Sequence, residues 1–420
     1  MADAPQDIAG LVDHLFRTSA GQMVSYLTRV LGPAHLDLAE EAVQDALVKA
    51  LQSWPFAAIP ANPAGWLLQV ARNRALDIIR HRGIVAAKTA EVVHELTRIN
   101  PYGELEIRDQ LRDDELRMIF LCCHPAISQD ARVALSLKTV SGFSVEEIAR
   151  AFLADSATIA QRLVRAKRQI REANIRFELP PQQELTERLD SVLEVIYLLF
   201  NEGYAAHSGD DLIRHDLCVE AVRLALLVSG SAIADPRSRA LVALLSFQAA
   251  RLPARVDENN ELVLLENQDR SKWDRRLIAM GFQHFDLSAE GDSISTYHLQ
   301  AAIASIHAQE SIAANTDWQK ILTLYDDLME LNPSAIVALN RAIAVSKVQG
   351  SAAALRELDR LADAPALANY YLLPATRGRL LAEQGNRGAA AEAFREALNR
   401  QCSEPERRFL LRKLRECESA

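Results

Sequence analysis

One stretch of 28 residues places an acidic start, a polar turn and a strongly basic end in succession. It reads SVEEIARAFLADSATIAQRLVRAKRQIR and spans residues 144–171. At 100° per residue, four apolar positions in its second half fall on one side and predict a buried helical face: Ile159, Leu163, Ala166 and Ile170. The opposite side is polar and basic and comprises Thr158, Gln161, Arg162, Arg165 and Arg168.

Recognition of duplex DNA is the chemistry that such a stretch suggests. A first helix is predicted over 145–152, and Asp155 or Ser156 is placed to cap the second helix. In a helix-turn-helix, residues near the start of the second helix reach base edges, and later basic residues hold phosphates. The alternative is a basic amphipathic helix in a bundle, which Leu153 favours because such turns often carry glycine there. Taken alone, the stretch favours DNA binding by a small margin.

A second basic helix is predicted from residue 64 to residue 82, directly after the proline-rich loop SWPFAAIPANP (53–63). It contains WLLQVARNRALDIIRHR, which combines an aromatic residue, an asparagine and four arginines at helical spacing. Basic side chains beside an aromatic ring suit a partly melted strand, whose phosphates need neutralising and whose bases need a stacking platform. In isolation, a solvated arginine face would explain this helix better. Two such sites in one chain favour DNA binding.

The composition predicts an all-α protein of two or three domains. The chain has 420 residues, of which 49% are hydrophobic, and alanine and leucine dominate over β-branched residues. The net charge is −9, but residues 1–178 carry 21 Lys and Arg against 22 Asp and Glu, whereas 179–420 carry 26 against 34. The first part is therefore near neutral with two basic stripes, and the second part is acidic.

Several other classes of site are disfavoured. The five cysteines are scattered and odd in number, which indicates a reducing compartment, and no signal or membrane span is evident, so we expect a cytoplasmic protein. Adjacent Cys122 and Cys123 with His124 fit core packing better than a metal site. The carboxylates within 257–274 predict a solvated loop or an intramolecular docking patch. No phosphate loop or catalytic motif is present, so we expect neither an enzyme nor a cofactor.

The acidic part of the chain shows weak internal repetition. Tyr325, Leu358 and Phe394 recur at spacings of 33 and 36, as in tetratricopeptide repeats. Around Phe394, small residues fall where such a repeat needs close helix packing: Gly378, Ala390 and Ala397, with Pro333 at an earlier repeat end. The predicted organisation has five segments: a helical domain at 7–82, a linker at 83–112, a helical domain at 113–179, a helical block at 182–300 and repeats at 301–420.

The two DNA-facing motifs resemble those of the extracytoplasmic-function sigma factors of bacterial RNA polymerase. EEAVQDALVKAL and PAGWLLQVARNRALDIIRHR resemble their region 2, and the stretch at 144–171 resembles their region 4. YLLFNEGY, LVLLENQDRSKWD and the segments from DWQKILTLYDDL to PSAIVALNRAIAV resemble the subgroup with a C-terminal tetratricopeptide-like extension. The resemblance covers nearly the whole chain.

The resemblance implies a role for each motif. Glu41, Gln44 and Asp45 would contact the clamp helices of the largest polymerase subunit, and the flap would be a further contact. The loop 53–63 would take a flipped base of the −10 element, and the acidic linker would thread the polymerase channel. The −10 surface would comprise Trp66, Arg72, Asn73, Arg74, Asp77 and Arg80. The −35 element would be read by Ser156, Ala157, Thr158, Gln161, Arg162 and Arg165, with Arg168 nearby. Ala160 replaces a commoner Lys or Arg.

Three functions follow from these features. The leading one is a promoter-recognition subunit of RNA polymerase. The alternatives are a stand-alone helix-turn-helix regulator with a helical sensor domain, and a helical-repeat scaffold with incidental basic faces. The acidic extension could dock on the basic half and gate it, or it could assist polymerase, and its repeats could hold a peptide or protein partner. The resemblance favours assistance.

Overall fold

The computed structural model describes residues 8–57, 59–82, 92, 96, 104–152, 154–205, 212–310 and 312–419. Throughout these residues the regular elements are α-helices and short 3-10 turns, apart from one antiparallel bridge between Val256 and Leu262. The predicted all-α fold is confirmed. By its internal contacts the chain divides into Met1–Val195, here unit 1, and Ile196–Ala420, here unit 2. None of the helices in these ranges is long and apolar enough to cross a membrane.

Three helices open unit 1: α1 (Ile8–Leu31), α2 (Leu36–Ser53) and α3 (Pro63–Arg82). The predicted apolar stripe of α2 is buried, except that Leu51 at its end is 44% exposed. Pro63 occupies the first turn of α3, where its missing N–H costs no hydrogen bond. Trp54 and Trp66 pack with ring centroids 5.4 Å apart and join the two ends of the proline-rich loop.

Four further helices complete the part of unit 1 that carries the second motif: α4 (Glu104–Cys122), α5 (Gln129–Thr139), α6 (Val145–Ala151) and α7 (Ser156–Glu172). The linker predicted at 83–112 is expected to contain weak helices, and its residues from Glu104 onward are the first half of α4. Neither proline nor glycine interrupts 104–122, so the helix extends back from its buried end. Most of 83–103 lies outside the described residues.

The Cys122–Cys123–His124 sequence is part of a packed core. The Cys122 thiol lies 3.0 Å from the Thr139 hydroxyl and the Cys123 thiol 3.6 Å from the Ser136 hydroxyl. Burial raises the pKa of both thiols, that of Cys123 to about 12. Among the described residues no group of His, Cys, Asp and Glu is arranged to hold a metal ion. Cys122 and Cys123 are 0% and 1% exposed, which confirms the predicted core packing of the two cysteines.

Helix α8 (Gln182–Tyr204) contributes its first part to unit 1 and its last part to unit 2. Two groups of helices follow it. The first group is α9 (His215–Ser229), α10 (Pro236–Ala249), α11 (Arg275–Ser288) and α12 (Thr296–Gln309). The second group is α13 (Trp318–Leu331), α14 (Ala335–Gln349), α15 (Ser351–Arg360), α16 (Leu372–Glu383), α17 (Arg387–Leu398) and α18 (Glu404–Glu418).

The expected close packing around Phe394 is confirmed. Phe394 is 2% exposed, Ala390 and Ala397 are fully buried, and Gly378 of α16 faces the Phe394 ring. A Cβ on Gly378 would lie 2.9 Å from Cε1 of that ring. The assignment of these helices to tetratricopeptide repeats stays a prediction.

We expect Gly378→Ala to destabilise unit 2 by about 1–3 kcal/mol, because the added methyl group overpacks a buried ring. Gly388→Ala is the matched control, since Gly388 lies on exposed helical backbone with open space around its Cβ position. That change should stabilise by about 0.5–1 kcal/mol through helix propensity. Urea denaturation of both variants checks this, and equal effects would contradict the packing of α16 on α17.

His307 provides a pH-sensitive element in the core of unit 2. It is 6% exposed, and its ring packs edge-on against Trp318 with centroids 5.3 Å apart. Burial, together with the charges of Arg251 and Arg270, lowers the pKa of His307 to about 3. The pKa of His307 is lower in the folded chain than in the unfolded chain, where it is about 6.5. The free energy of unfolding is therefore undiminished above pH 6.5 and decreases as the pH falls from 6.5 toward 3.

At pH 5 this loss should reach about 2 kcal/mol relative to pH 8. We expect His307→Gln, which cannot be protonated, to remove that part of the acid sensitivity while leaving the remainder of the pH profile in place. Denaturant unfolding of both proteins at pH 8 and pH 5 gives the difference directly. An unchanged pH dependence in the variant would show that His307 is protonated without penalty in the folded chain.

Candidate nucleic-acid interface

Helices α6 and α7 form the helix-turn-helix that the sequence predicts. Ser144 starts α6 with a reciprocal cap: its hydroxyl accepts from the Glu147 N–H at 3.1 Å, and its own N–H donates to Glu147 Oε2 at 2.8 Å. Asp155 is the N-cap of α7, although its side chain makes no capping hydrogen bond. Leu153 lies outside the described residues. The four apolar residues predicted for the buried face of α7 are all buried, which confirms that prediction.

The predicted base-reading side of α7 faces solvent. Gln161, Arg165 and Arg168 are exposed, and Arg168 lies 3.5 Å from Glu172 of the same helix. Arg162 is partly covered and lies 3.9 Å from Asp130 of α5. The hydroxyl and methyl groups at the helix start complete this surface: Ser156 is partly exposed, and Ala157 and Thr158 are exposed. Thr158, Gln161, Arg162, Arg165 and Arg168 share the face opposite the buried stripe, and Ser156 and Ala157 lie at the N-terminal end of the helix, where a groove edge can be met.

Helix α3 carries the second basic face. Asn73, Arg74, Asp77 and Arg80 are exposed on it. Arg80 lies 4.0 Å from Asp77, and the Asn73 Oδ1 accepts from Gln69 Nε2 at 3.1 Å, so the polar groups of this face are held by neighbours one turn away. Trp66 is half-buried at its start. These side chains can meet phosphates and unstacked bases.

Arg72 requires a correction, because it points away from that face. It is 5% exposed, and its Nη2 donates to the Leu96 carbonyl at 2.6 Å. Helical phase explains this: Arg72 precedes buried Leu76 by four residues and buried Ile79 by seven, so it shares their side of α3. Its guanidinium holds the segment that follows α3 and is not available to DNA in this arrangement.

The predicted polymerase-contacting residues lie on α2 beside the α3 face. Gln44 is exposed, and Glu41 and Asp45 are partly exposed. Arg74 Nε lies 2.5 Å from Asp45 Oδ2, and the hydrogen bond and charge of Asp45 raise the pKa of Arg74. The ion pair joins the two predicted surfaces.

Phe56 is a residue that the sequence reasoning did not single out. It lies in the proline-rich loop and its side chain is 92% exposed, the largest exposure of any large apolar residue among those described. An exposed ring beside a basic helix offers a stacking face for an unpaired base. The signal available in the sequence was an aromatic residue within the loop SWPFAAIPANP, next to Trp54, which the structure buries.

The structure also packs the two motifs together within unit 1. Lys167 of α7 places its Nζ 2.7 Å from Asp37 Oδ1 and 2.7 Å from Glu40 Oε2 of α2, and Arg171 lies 3.3 Å from Asp37. Burial lowers the pKa of Lys167, but the two carboxylates outweigh that effect and the pKa is raised. The basic end of α7 is therefore engaged by α2, while its beginning is open.

Helix α1 makes the other half of this contact. Arg29 Nε lies 3.0 Å from Oδ2 of fully buried Asp114 on α4. At Gly21 the α1 backbone approaches the turn after α5 so closely that a Cβ would lie 1.7 Å from the Val140 carbonyl oxygen. We call this contact surface, which joins α1 and α2 to α4, α5 and α7, the closed interface.

An exposed, basic helix-turn-helix and a second basic helix in one unit define a DNA-binding protein. Residues 15–84 match the family Sigma-70 region 2, and residues 117–170 match Sigma-70, region 4. Residues 188–289 match a family of unknown function, DUF6596. An uncharacterized protein of Rhizobium meliloti (strain 1021) is 40% identical over 394 residues, which cover 93% of this chain and 92% of that protein. No solved structure is significantly similar.

The chain belongs to the sigma-70 family. Its region 2 and region 4 domains, followed by a helical region, are consistent with an extracytoplasmic-function sigma factor that carries a C-terminal extension. It binds core RNA polymerase and promoter DNA. Sigma-70 domains are initiation factors and not enzymes. The presence of region 2 disfavours the stand-alone regulator, which needs the helix-turn-helix alone.

Proposed function

We propose that α7 reads the −35 element and that α3, with the loop before it, holds the melted −10 element. The exposed residues of the two faces described above are the contacts, without Arg72. The observation that carries this proposal is that Thr158, Gln161, Arg162, Arg165 and Arg168 lie on the side of α7 opposite its buried apolar stripe and are exposed or partly exposed there. Domain limits at 7–82, 182–300 and 301–420 belong to the same proposal. The domain predicted at 113–179 is proposed to begin earlier, at Glu104, where α4 begins.

We further propose that α2 binds the clamp helices through Glu41, Gln44 and Asp45, that the flap contacts the region 4 domain, and that the segment after α3 enters the polymerase channel. These partners make the cytoplasm the site of action. Reconstitution with core polymerase tests the whole proposal: promoter-specific initiation on a genomic template library is expected. Tight operator binding by the free protein, unaffected by core enzyme, would favour the stand-alone regulator instead.

The closed interface bears on how the factor is activated. The −10 and −35 elements are separated by about 25 base pairs, or about 85 Å of B-DNA. In unit 1, Lys167 on the helix for one element touches Glu40, whose helix packs on the helix for the other. One such compact unit cannot reach both elements, so we propose that the closed interface opens when polymerase binds.

The C-terminal extension could either inhibit or assist transcription, and we propose that it assists. We also propose that its repeats bind a peptide or protein partner. Deleting the extension distinguishes inhibition from assistance, but the truncated chain should not end at Pro181. Arg188 of α8 donates from Nη2 to the Phe120 carbonyl at 2.7 Å, and Arg132 contacts Ser191 at 3.4 Å, so α8 supports region 4. A chain ending after Ala205 keeps these contacts. Lost transcription with that chain means assistance, and increased transcription means inhibition.

A further inference from the structure

Unit 2 contains a cavity of about 290 Å³ between the last helices and the segment that follows α10. Its walls are aromatic on the helix side and aliphatic on the segment side, where Leu262, Leu264 and Leu265 are only partly buried. We call it the aromatic cavity. The aromatic residues that line it are Trp318, Tyr325, Tyr371, Phe394 and Phe409.

A second cavity of about 310 Å³ adjoins the first and has a different lining. Arg270 and Thr316 line it, and we call it the polar cavity. The two share His307, Trp318 and Lys347 in their walls, so the apolar space and the polar space meet at these side chains. A cavity pair of this size accommodates a small organic molecule.

Basic side chains outnumber carboxylates in the walls of the two cavities, although Arg379 pairs with Glu383 and Lys413 with Glu416, two carboxylates just outside these walls. Four basic side chains line them, and among the described residues a single carboxylate, that of Glu266, does so. Lys347 pairs with Glu266 and lies 5.9 Å over the Trp318 ring. The basic residues are Arg270, Lys347, Arg379 and Lys413.

Arg270 and His307 add buried polar groups without counterparts. Arg270 is 6% exposed and donates to the His307 and Glu310 carbonyls at 2.8 and 2.6 Å and to the Thr316 hydroxyl at 3.2 Å. Within the described ranges it makes no ion pair with a carboxylate, and its Nε and the Nδ1 of His307 have no hydrogen-bond partner. Buried charges are ordinarily paired, so a bound anion would supply the counterion that the Arg270 guanidinium lacks, and the His307 Nδ1 would be available for a further hydrogen bond.

We infer that the joined cavities bind a small organic acid, with its apolar body in the aromatic cavity and its anionic group in the polar cavity beside Arg270 and Lys347. This site belongs to unit 2 and does not depend on the proposed assignment of promoter elements. The ligand's anion would replace Glu266 as the partner of Lys347. Glu266 lies on the segment that covers the aromatic cavity, and Lys347 lies on α14. Ligand binding would therefore break the ion pair that joins this segment to α14.

Calorimetric titration of the full chain with 2-naphthoate and with octanoate tests the inference, each beside the alcohol of the same carbon skeleton. We expect saturable binding of at least one acid and binding of its alcohol weakened by about tenfold or more, the worth of one charge-assisted hydrogen bond. Lys347→Met should weaken the acid by a similar factor, whereas Lys320→Met, on the exposed side of α13, should leave it unchanged.

Glu266→Gln removes the carboxylate that competes with the ligand for Lys347, so it should tighten acid binding by about threefold. Misfolding would weaken binding, so it cannot explain a gain. Glu258→Gln, exposed on the same segment and outside both cavities, is its control. The inference is overturned if neither acid binds, if the alcohols bind equally well, or if Lys347→Met leaves acid binding unaltered.

Discussion

Replacing Gln161 and Arg165 together by alanine is expected to reduce promoter-specific transcription by about 30-fold or more while leaving the fold intact. Both side chains are exposed on the open side of α7 and neither contributes to its buried stripe. A specific contact to a base contributes about 1–3 kcal/mol of discrimination, so the loss of two is large. Exposed substitutions of this kind change folding stability by about 0.5 kcal/mol or less.

Transcription in vitro with core polymerase, on a promoter mapped from transcript start sites, measures this effect. Arg176→Ala is the matched control, because Arg176 follows α7, is 79% exposed and lies outside the proposed contact face. Arg168→Ala separates phosphate from base contacts: it should weaken all promoters alike and reduce the salt slope of DNA binding by about 1. Full activity of the double variant would remove α7 from −35 recognition.

The correct predictions for this protein rest on local periodicity. The buried stripe of α7 follows from residues three and four apart on one helix, and the all-α fold follows from composition and from similar stripes elsewhere. Close packing at Gly378 was predictable for the same reason, since small residues around a single aromatic at repeat spacing leave one way for two helices to meet.

What could not be predicted depends on contacts between distant residues. Helical phase places Arg72 on the buried side of α3, but the carbonyl that accepts a hydrogen bond from its guanidinium there belongs to Leu96, 24 residues away. Lys167 belongs to a basic run that suggests phosphate contacts, yet carboxylates 127 and 130 residues earlier hold it. The cavities of unit 2 likewise require several separate stretches of chain to meet, and no period within one helix encodes that.

Gly21→Ala is expected to break the closed interface. The new methyl group would lie 1.7 Å from the Val140 carbonyl oxygen, and both sides of that contact are backbone, so no side-chain rotation relieves it. All three atoms nearest to the added Cβ belong to Val140, which places the strain between α1 and the turn after α5 and not inside the α1–α3 bundle. The cost to the closed form should be about 3 kcal/mol or more.

If polymerase binds the open form, this variant should bind core enzyme more tightly than the native chain. The apparent dissociation constant equals the intrinsic one divided by the open fraction, so a protein that is about 1% open gains up to about 100-fold when the closed form is lost. Anisotropy titration of labelled protein with core polymerase measures the gain, and helix content by circular dichroism verifies that α1 remains folded.

Lys167→Met tests the same interface from its other side. It leaves Glu40, whose side chain is 12% exposed, without its cation, and this again penalises only the closed form. Gly388→Ala in unit 2 serves as the control for a glycine-to-alanine change that meets no neighbour. Tighter polymerase binding by both interface variants supports opening as the activating step. Weaker binding with native helix content would mean that the closed form is the one that polymerase recognises, and the distance between the promoter elements would then have to be spanned another way.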